Sequence, residues 1–305
     1  MLTPHPDLVK KRMAGIAAPH RLSVIDLARR RYSCRAYVPE PLAPEQRGQI
    51  EALLSSIDVG PLGAAVRFRL VAATEEDAGA LRGLGTYGFI AGATAFVVGA
   101  VDRGDKNLED FGYAMERVIL GATALGLGTC WLGGSFTRSR FARSIGATTR
   151  ESVPAVAAIG RAVTGSERGP IRRRLAADDR KPWSELFFDG ALGTPLTPEQ
   201  AGPFAPALEA VRLAPSASNK QPWRIVRQGK AWDFHLERTP GYGKRSLTFR
   251  LLRLADLQRV DMGIAMCHFE LAARESGQSG RWMLRPSSLG LGGARPEYIV
   301  TWAEG

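Results

Sequence analysis

The chain has 305 residues, of which 45% are hydrophobic, with three cysteines and a formal net charge of +11. That length supports one or two packed cores, and three cysteines without metal-ligand spacing point to a reduced compartment and away from a disulfide scaffold. Basic residues are dispersed apart from Arg29–Arg31 and Arg172–Arg174, and no zinc-finger or RNA-recognition pattern accompanies them, so a small anionic ligand is expected ahead of nucleic acid.

Taken in chain order, residues 21–30 read as a helix carrying Leu22, Ile25 and Leu27. No apolar stretch follows Lys10, Lys11 and Arg12, so no secretory signal is expected and a cytoplasmic location is. A second helix is predicted over 44–55, with Pro44 and Glu45 in its first turn. Residues 67–73 alternate as a strand, and 95–101 read as a buried strand from their small and β-branched content. The longest apolar run, 89–101, is too short to span a bilayer. A long helix is expected over 108–125, where Phe111, Met115, Val118, Ile119 and Ala122 keep helical spacing until Gly126 and Gly128 stop it. Residues 126–134 read as a loop whose backbone approaches a flat ligand, Gly133 and Gly134 leaving room; the plain alternative is a helix cap followed by a strand. They are not a dinucleotide fingerprint, because they follow a helix and carry Trp131 where the third glycine belongs. Further strands are predicted over 154–160, 223–228, 232–237 and 296–302, and helices over 199–213 and 257–276. Residues 164–182 read as a crossing segment, and 180–188 lead out of the first half. Helices and strands mix without a strict strand–helix–strand rhythm, which places the chain in the α+β class.

The chain contains one unit twice. Leu42-Ala43-Pro44-Glu45-Gln46-Arg47-Gly48 returns as Leu196-Thr197-Pro198-Glu199-Gln200-Ala201-Gly202, Pro198 standing 154 residues after Pro44. Asp110-Phe111-Gly112-Tyr113-Ala114-Met115 returns as Asp261-Met262-Gly263-Ile264-Ala265-Met266, 151 residues on, and the same register pairs Trp131 with Trp282. A period this long means duplicated halves. Each half has lost what the other keeps. Arg31, Ser33 and Arg35 meet Glu185, Phe187 and Asp189, while the Pro215–Trp223 stretch has no counterpart around 56–68. One composite ligand site per chain is expected.

Arg31, Ser33 and Arg35, at spacing two in an extended segment, share one face. Two guanidiniums and a hydroxyl there make an anion cradle, with a solvated basic helix end as the plain alternative. Pro215-Ser216-Ala217-Ser218-Asn219-Lys220-Gln221-Pro222-Trp223 is a tight polar loop that offers backbone N–H groups and short side chains to a flat heterocycle, or else an ordinary capped turn. No acid–base dyad, triad or metal cluster is evident, and His235 and His268 read as structural. A reactive atom would have to come from a cofactor.

The Arg31-x-Ser33-x-Arg35 motif, the Pro215–Trp223 loop, the Gly126–Gly134 segment and Arg180-Lys181-Pro182 together resemble the nitroreductase family of FMN-dependent oxidoreductases. The resemblance implies a nitroreductase-like fold in two halves, 21–182 and 183–305. The usual member is a homodimer with two interfacial FMN sites, each borrowing the serine–asparagine loop from the partner, so this chain resembles a monomer acting as its own pseudo-dimer. It implies Arg31 and Arg180 on the FMN phosphate, with Tyr32 and Ser33 assisting, and Arg35 at the N1–C2 carbonyl edge as a flavin-tuning residue. Leu132, Gly133 and Gly134 would line the N5 side, and Pro215, Ser216, Ala217 and Asn219 the polar edge and ribityl chain. Asp178 stands where many relatives have lysine, and Gly133 where others have glutamate. The implied activity is hydride transfer from NAD(P)H, a transient reductant, through FMN to a nitroaromatic or quinone-like acceptor, with neither nucleic acid nor membrane as partner. A flavin-binding sensor, carrier or storage protein is the alternative.

Overall fold

A computed structural model of the chain describes residues 22–72, 86, 88–134, 138–165, 170–240, 255–285 and 296–305. The first predicted helix is α1 (Val24–Arg30), begun by Ser23, whose Oγ accepts the Asp26 N–H at 3.1 Å; residue 21, His5 and His20 lie outside the described residues. Helix α2 (Pro44–Ser55) starts on its proline, as the sequence predicts.

Strands β1 (Val66–Ala72), β2 (Ala95–Asp102), β3 (Gly128–Leu132), β4 (Glu151–Ser152) and β5 (Val156–Gly160) form one antiparallel sheet in the order β1-β2-β5-β3, with β4 paired to β2. Helices α3 (Asn107–Ala124), α4 (Arg138–Ser144), α5 (Pro170–Arg174) and α6 (Trp183–Leu186) complete this stretch of chain. The second sheet takes β6 (Phe187–Asp189), β7 (Trp223–Arg227), β8 (Ala231–Leu236), β9 (Gly280–Met283) and β10 (Glu297–Glu304) in the order β6-β7-β8-β10-β9. Among the described strands of this sheet, β6 alone pairs in parallel, against β7. Between these strands run α7 (Pro198–Ala201), α8 (Ala205–Leu213) and α9 (Leu257–Glu275). The paths β1-β2-β5-β3 and β7-β8-β10-β9 have one plan: first strand, second, last, third, with the long helix inserted after the second.

Three sequence expectations change. Residues 126–134 are not wholly a loop: β3 occupies 128–132, because Thr129 to Leu132 find a pairing edge on β5, leaving Gly133 and Gly134 as the turn beyond it. The helix expected over 199–213 is two helices, since Gly202 at φ 54° breaks the backbone ladder ahead of Pro203. Residues 187–189 do not merely lead out of the first half; they join the second sheet beside β7.

Helices α3 and α9 pack against each other through the middle of the molecule, and both are buried around nearly their whole circumference. Their crossing is too close for side chains. A Cβ on Gly112 would stand 2.1 Å from the Val260 carbonyl oxygen, and one on Gly263 would stand 1.9 Å from that of Glu109. The crossing also carries an ion pair, Arg259 to Glu109 at 2.6 Å, and a hydrogen-bond contact between His268 Nε2 and Glu116 at 2.9 Å. Among the described residues no helix is long and apolar enough to cross a membrane.

Candidate functional site

Past Arg31, which closes α1 in an extended conformation, the chain runs beside β3. Ser33 bridges Thr129 in parallel and the Cys34 N–H donates to the Thr129 carbonyl at 2.9 Å. This pairing sets the alternation. Arg31, Ser33 and Arg35 line a cavity of about 360 Å³, while Cys34 and Tyr37 turn into a hydrophobic cluster on the other side. A cavity of that size lies within the range of small-molecule sites.

Arg180 and Arg172 reach the same cavity from the segment that crosses between the sheets. Arg31 is 8% exposed and its Nε has no hydrogen-bond partner, nor has that of Arg180. Burial lowers the pKa of Arg31, and Arg172 lowers it further against the opposing pull of Glu116. Burial likewise brings Arg180 down to about 10, with repulsion from Arg31 added. Asp178 pairs with Arg172. The Arg172 guanidinium lies 5.3 Å from the Tyr32 ring centroid, so Tyr32 backs the cluster without lining the cavity. Clustered cations, two with orphaned donors, are what a phosphate monoester would complete.

The opposite wall is the loop before β7, with Pro215, Ser216, Ala217, Ser218 and Asn219 all at the cavity. Three of its residues are left-handed without being glycine: Ser218 at φ 51°, Asn219 at 53° and Gln221 at 48°. Each such residue costs on the order of 1 kcal/mol, and side chains hold the shape. Ser216 Oγ accepts the Gln221 N–H at 2.8 Å, and Asn219 Nδ2 donates to the Ala176 and Asp179 carbonyls at 2.6 and 3.0 Å. Gln221 Oε1 accepts the Lys181 N–H at 2.9 Å, and Arg180 donates to the Leu213 carbonyl at 3.1 Å. The loop is thus clamped to residues 176–181, which also carry Arg180.

Gly133 and Gly134 form the third side. A Cβ on Gly133 would stand 2.6 Å from the Leu257 side chain, so leucine holds the space beside this glycine. Leu132 faces the core and does not line the cavity. Among the lining residues that sequence reasoning overlooked are Phe89, Trp131, Leu257 and Asp261. The Trp131 indole donates to Glu116 at 2.8 Å, and the other oxygen of Glu116 meets His268, so this histidine stands behind the wall as a buried partner. Asp261 carried a signal, since it opens the repeated Asp-x-Gly motif. Trp131 lay in the 126–134 segment and in the same repeat register, while Phe89 and Leu257 carried no such signal.

A model of the family described as "Putative TM nitroreductase" matches residues 23–273. A crystal structure described as a putative nitroreductase from Thermotoga maritima is 20% identical, with 94% of this chain and 96% of that one covered at a TM-score of 0.59. Another, a putative nitroreductase in complex with FMN from Desulfovibrio desulfuricans, is 21% identical, covering 58% of this chain and 100% of its own at a TM-score of 0.43. No curated protein matches the sequence.

Proposed function

Because this chain belongs to the family described as "Putative TM nitroreductase", we propose that it is an FMN-dependent oxidoreductase taking hydride from NAD(P)H and passing it to an electron-poor organic acceptor, nitroaromatic or quinone-like. The observation that carries this reading is the cavity where Arg31, Arg172 and Arg180 converge, two of them with orphaned buried donors, opposite a strained polar loop. When bound, flavin supplies the atom that accepts and donates hydride.

The chain's own residues bind and orient. Arg31, Arg172 and Arg180 hold the phosphate, with Tyr32 fixing Arg172 from behind and Ser33 offering its hydroxyl beside them. Arg35 presents a cation to the N1–C2 carbonyl edge, where negative charge develops on reduction; a fixed charge there favours the reduced state. Leu132 anchors β3 in the core, which sets Gly133 and Gly134 at the cavity where they would line the N5 side. Pro215, Ser216, Ala217 and Asn219 wall the polar edge and the ribityl chain, and the apolar faces of Trp131, Leu257 and Ile264 keep water out.

In the same reading the chain is a pseudo-dimer of halves 21–182 and 183–305, a monomer with one composite flavin site, working in the cytoplasm. The common strand plan of the two sheets and the paired glycines 112 and 263 support the duplication. The test is the absorption spectrum of the purified protein during titration with FMN. Flavin bands saturating near one equivalent per chain are expected, together with steady-state NAD(P)H oxidation in the presence of a nitroaromatic or quinone. Two equivalents per chain would overturn the single site. Binding without turnover would make the chain a flavin carrier or sensor.

A further inference from the structure

Asp261 lies in the second turn of α9 and lines the cavity with Leu257, Val260 and Ile264, one helix face at helical spacing. It is 2% exposed. Its Oδ1 accepts the Ala217 N–H at 2.9 Å, and its Oδ2, buried as well, has no hydrogen-bond partner. Asp110, 151 residues earlier, shows the same residue acting as a loop anchor with both oxygens in use: Oδ1 accepts the Leu62 N–H and Oδ2 the Ala64 N–H, each at 2.7 Å.

The second donor is lost at Asp261 because the loop turns. Two residues after Ala217, the Asn219 N–H is redirected to the Ser216 carbonyl at 3.0 Å through the left-handed Ser218 and Asn219. An unsatisfied buried carboxyl oxygen is costly and rare, and such groups persist where something else completes them.

We propose that Asp261 is a cofactor-contacting residue of the flavin site, its Oδ2 donating a hydrogen bond to an acceptor atom on the polar edge of the bound ring system. This rests on the flavin reading above. Donation follows from the surroundings. Burial pushes the carboxyl well above its ordinary range, the negative charges of Asp256 and Glu116 push it the same way, and the Ala217 N–H only partly opposes them. These influences favour the neutral form of the acid, beside the geometric fact that Oδ2 is buried at the cavity wall with no partner. With Oδ1 accepting from the backbone, the proton resides on Oδ2.

The experiment is an infrared difference spectrum of the full chain, FMN-loaded minus FMN-free, beside FMN titrations of wild type, Asp261→Asn and Asp261→Leu. A carbonyl stretch of a protonated carboxyl that moves on loading, and is missing in Asp261→Asn, is the expected result. Asparagine keeps both the Ala217 contact and a donor, so its FMN affinity stays within about threefold of wild type, while leucine loses roughly 30-fold or more. The infrared band and the asparagine variant decide the matter even if the leucine variant fails to fold. If wild type binds FMN and no carboxyl band moves, this inference falls and the flavin reading stands. If wild type binds no FMN at all, both fall.

Discussion

Replacing Arg31 with methionine separates a binding charge from a structural one. The guanidinium is 8% exposed, its Nε is unpartnered, and Arg172 and Arg180 surround it with like charge. Its pKa is lowered in the folded chain, so the charged form opposes folding at every pH below that value, physiological pH included. Methionine keeps the aliphatic stem packed and removes the cation. Relief of a buried charge that Glu116 offsets only in part is worth about 2 kcal/mol after allowing for the open side of the cavity, a rise of roughly 4 °C in the apo unfolding temperature. The same change removes the charge-assisted bonds to the phosphate, about 3 to 4 kcal/mol, and so weakens FMN binding by on the order of 10²–10³-fold. Thermal unfolding of the FMN-free protein by circular dichroism reads the first effect, and quenching of flavin fluorescence reads the second. A lower apo midpoint would refute the argument, because Arg31 would then be a structural cation. Unchanged FMN affinity would refute it from the other side.

Asn219→Ala removes three side-chain bonds between the loop and residues 176–181 and leaves alanine at φ 53°. A loss of about 2 kcal/mol in unfolding free energy and at least tenfold weaker FMN binding are expected from denaturant melts and titration. Gly133→Ala drives a methyl group into Leu257 and should cost about 1 kcal/mol, recovered in the double variant with Leu257→Ala; a cost that persists in the double variant would mean that Leu257 is not the obstacle. Gly112→Ala sets a Cβ against the Val260 backbone at the α3–α9 crossing, with an expected loss of about 3 kcal/mol or more and no compensating partner. Glu151 is held at about 2 by its bonds with Arg67. A depressed carboxylate contributes stability above its unfolded value of 4.5 and loses it as pH falls toward 2. After solvent screening this is about 1 kcal/mol, absent from Glu151→Gln in melts across that pH range.

Much of the fold was legible because the signals were local. Pro44 at a first turn, the apolar spacing from Phe111 to Ala122 and the β-branched run at 95–101 each report on neighbours within a few residues, and the elements appear there. Where partners are distant, local reading failed. Strand β3 exists because β5 offers an edge, and β6 because β7 does; neither short segment could announce its partner. The break at Gly202 was local but was overridden in the reading by an apolar pattern that continues through it.

The candidate site divides along the same line. The alternation Arg31, Ser33, Arg35 and the turn chemistry of residues 215–219 are consequences of backbone period and side-chain type, so the sequence alone determined that a basic strip and a polar loop exist. The recurrence of the Pro44 and Asp110 motifs is likewise read from the sequence alone. Only the tertiary structure decided that the strip and the loop face each other across one cavity, and that Arg172 joins them. It also decided that Asp261 keeps one oxygen free where Asp110 keeps none. The physical reason is that burial and the partnering of a polar atom are set by chain segments up to about 150 residues apart in sequence. The aspartate that recurs 151 residues on accepts two loop N–H groups at Asp110 and one at Asp261, because the Asn219 N–H turns instead to the Ser216 carbonyl through the left-handed Ser218 and Asn219.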